Sequence, residues 1–307
     1  MPSSPSSAEG LISAEGLIVS AHGRHVVVED RAAERVLCHV RGKRSEAVVG
    51  DRVRWQRSGD EGVVEQVLPR RNLLYRQDEW KTKAFAANID QLLVVVAAEP
   101  VFSESQLARA LIAAADAAIP ARLVLNKRDL PTFAAARERL QPYRAMGIEI
   151  LELALKVDGE NARARLAPVL AGLATLVLGP SGAGKSTLVN RMVPHARAQT
   201  GEISKALRSG RHTTTVTEWH WLDGERSSAI IDSPGFQEFG LRHIEAGRLA
   251  ALMPDIGGHA TACRFYNCTH LHEPGCGVLA ALARGEIMPS RHRIYREIFA
   301  ELQARPA

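Results

Sequence analysis

Three short segments of this chain carry the residue types that hold a phosphate chain and a purine base. Gly179-Pro180-Ser181-Gly182-Ala183-Gly184-Lys185-Ser186 has the spacing of a phosphate loop, and it follows the apolar stretch Leu176-Val177-Leu178. Glycines there let successive backbone N–H groups wrap phosphate oxygens, and a helix starting at the loop adds a favourable dipole. Lys185 is expected to reach the β- and γ-phosphates, Ser186 to bind Mg²⁺ and Thr187 to meet the α-phosphate. Asn126-Lys127-Arg128-Asp129 is expected to read the base. The Asp129 carboxylate can accept from guanine N1–H and the N2 amino group, a pair that adenine lacks, and a mispaired polar group in a dry pocket discriminates strongly. Asn126 can meet the N7/O6 edge and fix the loop, while the Lys127 stem can lie over the base.

Asp232-Ser233-Pro234-Gly235 closes the apolar stretch Ala229-Ile230-Ile231. Asp232 is placed to hold Mg²⁺ through water, and the Gly235 N–H to meet the γ-phosphate. Phe236 follows, where a glutamine would orient the attacking water, so that water needs another partner. Gly210-Arg211-His212-Thr213-Thr214-Thr215 lies where a first switch belongs. One of its threonines, Thr214 or Thr215 ahead of Thr213, is expected on Mg²⁺ and the γ-phosphate, and His212 is expected to orient the water. The catalytic set is then Lys185, His212 and Asp232, and the chemistry is attack of water on a γ-phosphate. A fifth element, Ser-Ala-Lys after a strand, is degraded here to Glu152-Leu153-Ala154-Leu155-Lys156, and no contact is assigned to it. The order is unusual: the base reader precedes the phosphate reader by some fifty residues, whereas a phosphate loop ordinarily comes first.

A second chemistry lies near the C-terminus. Cys263-x4-Cys268-x-His270-x5-Cys276 supplies three thiolates and an imidazole, a ligand set for a closed tetrahedral zinc site of structural kind. His272 competes with His270 for the fourth position, and His270 is preferred. Cys38, in Val36-Leu37-Cys38-His39-Val40, reads as a buried structural thiol.

The elements that must position these residues follow from patterning. Five short β-branched stretches between 16 and 67 suit a five-stranded OB-fold barrel. Basic residues crowd that region, with Trp55 and Tyr75 among them. That is either a stacking groove for RNA or a solvated basic face with the aromatics in the core. Continuous apolar stretches at 92–96, 123–125, 148–151, 176–178 and 229–231, with a helical pattern from 103 to 118, predict a parallel sheet with helices on both faces. Residues beyond 241 read as helical around the cysteines, and Arg284, Arg291, His292, Arg293 and Arg296 lie on either a solvated or an RNA-facing helix. A hexapeptide, Ser7–Ile12, is repeated at Ser13–Ile18 and reads as a local duplication in a tail. The expected division is a tail (1–16), an RNA-binding OB-fold barrel (17–83), a central α/β phosphate-loop domain with permuted motif order (84–240) and a helical zinc-binding domain (241–307).

The chain has 307 residues, 46% hydrophobic and 24% charged, with net charge +5 and pI near 9.2. No apolar run reaches the roughly 18 residues of a membrane span, and no signal pattern opens the sequence, so a cytoplasmic protein without a membrane partner is expected. Mild basicity fits a nucleic-acid partner.

Taken together, these motifs resemble the bacterial circularly permuted small-ribosomal-subunit GTPases of the RsgA (YjeQ) family. Val49-Gly50-Asp51, Ala87-Asn88-Ile89-Asp90 and Glu273-Pro274-Gly275 extend the match over about residues 17–300. The resemblance implies a late assembly factor that binds the small subunit and its rRNA. It also implies slow GTP hydrolysis stimulated by that subunit and a hydrolytic role for His212; the protein is expected to act as a monomer. The rival reading is an RNA-binding scaffold that keeps GTP as a structural ligand, which Phe236 leaves open. The permuted order also leads the segment after Gly235 directly into residues 241–307, so nucleotide state is expected to reach that region.

Overall fold

The computed structural model describes residues 14–22, 25–41, 47–78, 82–193, 216–235 and 238–304. Strands β1 (Ala14–His22), β2 (His25–Glu29), β3 (Arg35–Val40), β4 (Arg52–Ser58) and β5 (Glu61–Val67) form the expected barrel. β1 pairs antiparallel with β2 and β4, β2 with β3 and β4 with β5, and a parallel β3–β5 pairing closes the ring. Closure leaves no open strand edge. Alternation drives it: in β4, Val53 and Trp55 point inward and Arg52 and Arg54 outward.

Trp55 is 4% exposed and packs with Cys38 in the barrel core, so its ring is not available for stacking on RNA. Burial pushes the Cys38 thiol up to about 11, as an inert core residue requires. Ala14–Gly16, placed in the tail by patterning, open β1 and pair with Val53, Arg54 and Trp55.

β6 (Leu73–Gln77) and β7 (Thr82–Ala87) make a separate antiparallel hairpin, and residue 83 lies inside β7. Tyr75 belongs to this hairpin, where its ring lies 4.3 Å from that of His243.

The central sheet contains β8 (Gln91–Ala97), β9 (Ala121–Asn126), β10 (Ile150–Glu152), β11 (Ala174–Leu178), β12 (Glu218–Trp221) and β13 (Ala229–Asp232). Its order is β10-β9-β8-β11-β13-β12, with the first five parallel and β12 antiparallel. Both faces are buried, which is why the strands are apolar throughout. Leu92, Val94 and Val96 face one core with α1 (Glu104–Asp116), while Leu93, Val95 and Ala97 face another with α4 (Gly159–Leu170) and α5 (Lys185–Met192). The short helices α2 (Phe133–Arg139) and α3 (Gln141–Ala145) follow β9. The helix expected over 103–118 is α1, capped by the Ser103 hydroxyl, which accepts from Gln106 N–H at 3.3 Å.

β12 meets β1 at Ser20 and Glu218, joining sheet to barrel. A buried carboxylate locks that junction. Glu29 accepts from Arg35 Nε at 2.8 Å and Trp221 Nε1 at 2.7 Å, and Arg226 stands 3.3 Å away. Replacing Glu29 by alanine strands two guanidinium groups and an indole N–H. The expected loss is about 3 kcal/mol of unfolding free energy, read as a lower urea midpoint; an unchanged midpoint would refute this role.

The C-terminal part adds α6 (Pro254–Ala260), α7 (Gly277–Ala283) and α8 (Pro289–Gln303). Two polar clamps hold it to the central sheet's helices. Arg109 of α1 pairs with Glu301 of α8, and Arg291 of α8 donates to Asp255 at 2.6 and 3.1 Å and to the Tyr143 hydroxyl at 3.3 Å. Arg291 and His292 are therefore buried structural groups, and of the basic residues of that helix only Arg293 and Arg296 are exposed to solvent. Among the described residues, no helix is long and apolar enough to cross a membrane.

Candidate active site and metal centre

Parallel strands bring their carboxyl ends to one edge, and there the separated motifs meet. Strand order reverses between β8 and β11, which opens a crevice at that edge. The phosphate loop leaves β11, and Lys185 begins α5. Gly184 takes φ 109°, and a Cβ on it would collide with the Asn126 amide. Asn126, at the end of β9, uses both ends of that amide: Nδ2 donates to Ala183 O at 2.9 Å, and Oδ1 accepts from Leu155 N–H at 3.1 Å. Its loop-fixing role is thus what the geometry displays, with the amide engaged inside the protein.

Lys127 adopts φ 64°, and its Nζ donates to Glu99 O at 2.5 Å. The Arg128 N–H donates to Leu153 O at 3.0 Å. The Asp129 carboxylate is exposed, with no hydrogen bond or ion pair among the described residues. The loop over 153–155 therefore lies against the base-reading loop despite its missing serine. Sequence reasoning passed over it, and over Glu99, because their contacts are made by backbone atoms that leave no side-chain signature.

Lys185 is buried, and its Nζ donates to Pro180 O at 3.0 Å. Burial lowers its pKa, and nearby Asp232 opposes that shift. Asp232 ends β13 beside Val177 of β11, and the Ser233 hydroxyl donates to Val177 O at 2.7 Å. This pins the turn so that a Cβ on Gly235 would lie 3.1 Å from Lys185 Nζ and 3.3 Å from Ser181 N. Residues 179–187, Asp232 and Gly235 thus lie together at the carboxyl ends of β11 and β13, and Asn126, followed by Lys127, Arg128 and Asp129, touches the phosphate loop at Ala183. His212, Thr213, Thr214, Thr215 and Phe236 lie outside the described residues.

The cysteine cluster assembles separately. The ligand atoms of Cys263, Cys268, His270 and Cys276 all lie within 4.8 Å of one another, and His272 is not among them. Cys263 Sγ lies 3.9 Å from Cys276 Sγ, and His270 Nδ1 lies 3.4 Å from Cys263 Sγ and 3.6 Å from Cys276 Sγ. Tetrahedral bonds of about 2.3 Å to sulfur and 2.0–2.1 Å to nitrogen give edges of about 3.5–3.8 Å, so this spacing accommodates a metal. The surroundings hold the ligands. The His270 carbonyl lies 2.9 Å from His292 Nε2, and Cys263 Sγ accepts from Gly277 N–H at 3.3 Å. Burial opposes ionisation of Glu273, but the Thr269 hydroxyl and the N–H groups of Thr269 and His272 outweigh it and hold its carboxyl well below the ordinary range.

A five-stranded barrel joined to a parallel sheet, whose base-reading loop precedes its phosphate loop, defines a circularly permuted P-loop GTPase. The RsgA GTPase family model matches residues 67–242. The chain is 60% identical over 293 residues to the small ribosomal subunit biogenesis GTPase RsgA of Variovorax paradoxus (strain S110), covering 94% of this chain and 92% of that protein. It is 53% identical to the protein of that name from Burkholderia pseudomallei (strain K96243), covering 98% and 96%. The crystal structure of YjeQ from Thermotoga maritima superposes with a TM-score of 0.73 at 30% identity, over 96% of this chain and 100% of that one. YloQ, described as a circularly permuted GTPase, gives 0.69 at 25% identity, over 99% of each. The chain belongs to the RsgA GTPase family.

Proposed function

We propose that the protein hydrolyses GTP to GDP and phosphate while bound to the small ribosomal subunit, and so assists a late step in that subunit's maturation. Relatives named small ribosomal subunit biogenesis GTPase, alike over nearly the whole chain, support the partner. The observation that carries the chemistry is the approach of Gly235 to Lys185 Nζ, which brings two distant segments together where a γ-phosphate would lie.

In this reading Asp129 accepts from guanine N1–H and N2, and the Lys127 stem covers the base. The N–H groups of 181–187 and Lys185 Nζ meet the phosphates and stabilise charge developing in the transition state. Ser186 and Asp232 hold Mg²⁺, which supplies further neutralisation of the phosphate oxygens, and His212 orients the water. The cluster of three cysteines and His270 is a structural zinc site, and the barrel and C-terminal helices contact rRNA. The reading keeps a barrel, a central phosphate-loop domain and a C-terminal zinc-binding domain, and has the protein act in the cytoplasm as a monomer.

Phosphate release by the purified protein, with and without small subunits, tests it. Stimulation on the order of tenfold or more is expected. Equal rates would overturn the partner, and no release under either condition would leave a scaffold that merely holds GTP.

A further inference from the structure

Beside Gly235 lies a cavity of about 380 Å³ whose walls include Arg76, Lys83 and Phe85 of the β6–β7 hairpin, together with Pro234, Gly235 and Glu238. The hairpin grips the chain just beyond Gly235 at four points. Arg76 donates to the Glu238 carbonyl and stands 3.6 Å from the Asp78 carboxylate. The Gln77 N–H donates to Gly240 O at 3.1 Å, and the Arg242 N–H donates to Gln77 O at 3.0 Å. The Phe239 ring stacks on Phe85, with centroids 5.6 Å apart and planes 14° from parallel. Gly240 is packed so closely that a Cβ there would lie 2.8 Å from the Gln77 carbonyl carbon.

We infer that Arg76 is a positioning residue for hydrolysis: by holding Glu238 it sets where Gly235 meets the γ-phosphate. Glu238 stands three residues beyond Gly235, and a chain extends at most about 3.3–3.6 Å per residue, so a fixed Glu238 limits the places Gly235 can occupy. In the GTPase reading the Gly235 N–H meets only the γ-phosphate, so GDP binding should not depend on it. A misplaced γ-phosphate contact costs rate more than affinity.

The inference rests on the GTPase reading, and one experiment separates the two. Hydrolysis by the full chain is measured with small subunits, alongside GDP affinity and thermal melting. Arg76→Ala is expected to lower kcat about tenfold while KM for GTP and the Kd for GDP stay within about twofold; Arg76→Lys, which keeps one donor, recovers most of the loss. Gly240→Ala, which pushes the segment off Gln77, is expected to give the same split. Should Arg76→Ala melt below the assay temperature, Gly240→Ala decides alone. An unchanged kcat, or a proportional loss of kcat and GDP affinity, overturns the inference. Absence of phosphate release by the wild-type protein overturns the GTPase reading instead.

Discussion

If the cysteine cluster holds a structural metal as proposed, Cys276→Ser is expected to abolish metal binding there and destabilise the ligand loop from Cys263 to Cys276. Coordination in small structural zinc sites is worth about 10–16 kcal/mol, whereas a whole domain is stable by only about 5–15 kcal/mol. Loss of one of four ligands therefore removes more than the loop's other contacts replace. The ligand loop itself is short and turn-rich, and Cys263 and Cys268 are only partly buried, while Val278 and Ala281 anchor α7 in the core. Serine is the informative replacement, because Cys276 also caps α7, with its Sγ accepting from Leu279 N–H at 3.4 Å. A serine oxygen keeps the cap and loses the thiolate, so the measured deficit reports the metal. Metal analysis should fall from one equivalent towards none, with a lower melting midpoint; chelation of the wild type should reproduce both. His272→Ala should leave metal content and melting unchanged. Retention of the metal by Cys276→Ser would refute the assignment.

Asp129→Asn is expected to weaken GTP and GDP binding by about 10²-fold or more, the size of penalty seen when a polar pairing in a nucleotide pocket is lost. The amide can accept one guanine proton but presents its own N–H₂ to the other donor. Xanthine carries a carbonyl where guanine has the N2 amino group, so xanthosine nucleotides should gain affinity in the same variant. Because Asp129 is exposed and makes no hydrogen bond or ion pair among the described residues, melting should not change. Asn126 makes a poor control, since its amide bridges two loops and its loss would disturb both. Titration with fluorescent guanine, xanthine and adenine nucleotides checks the expectation. An unchanged preference among these nucleotides would show that the carboxylate does not read the base.

The five barrel strands and the five parallel strands were legible because each repeats a short, local pattern. β4 alternates in and out, while β8 is apolar on both faces. β7 and β12 were not legible. Thr82-Lys83-Ala84-Phe85-Ala86-Ala87 has weak strand preference and is strand because β6 pairs with it. Glu218-Trp219-His220-Trp221 is strand because it lies between β13 and β1. Burial was harder still to read. Trp55 sits among arginines in the sequence, yet the pleat turns its ring inward and theirs outward. Arg291 and His292 belong to a basic stretch, yet Asp255 and the His270 carbonyl draw them inside.

The cysteine cluster, the phosphate loop and the Asn126-Lys127-Arg128-Asp129 motif could be picked out from the chain alone, because each is a set of residue types within a few positions of one another. Their assembly into one site is not local. It depends on strands stacked in parallel about 4.8 Å apart, which bring every carboxyl end to the same edge whatever order the chain visits them. That geometry makes the permuted order harmless to the chemistry. It also seats the chain beyond Gly235 on the β6–β7 hairpin, a contact that no motif in the sequence marks.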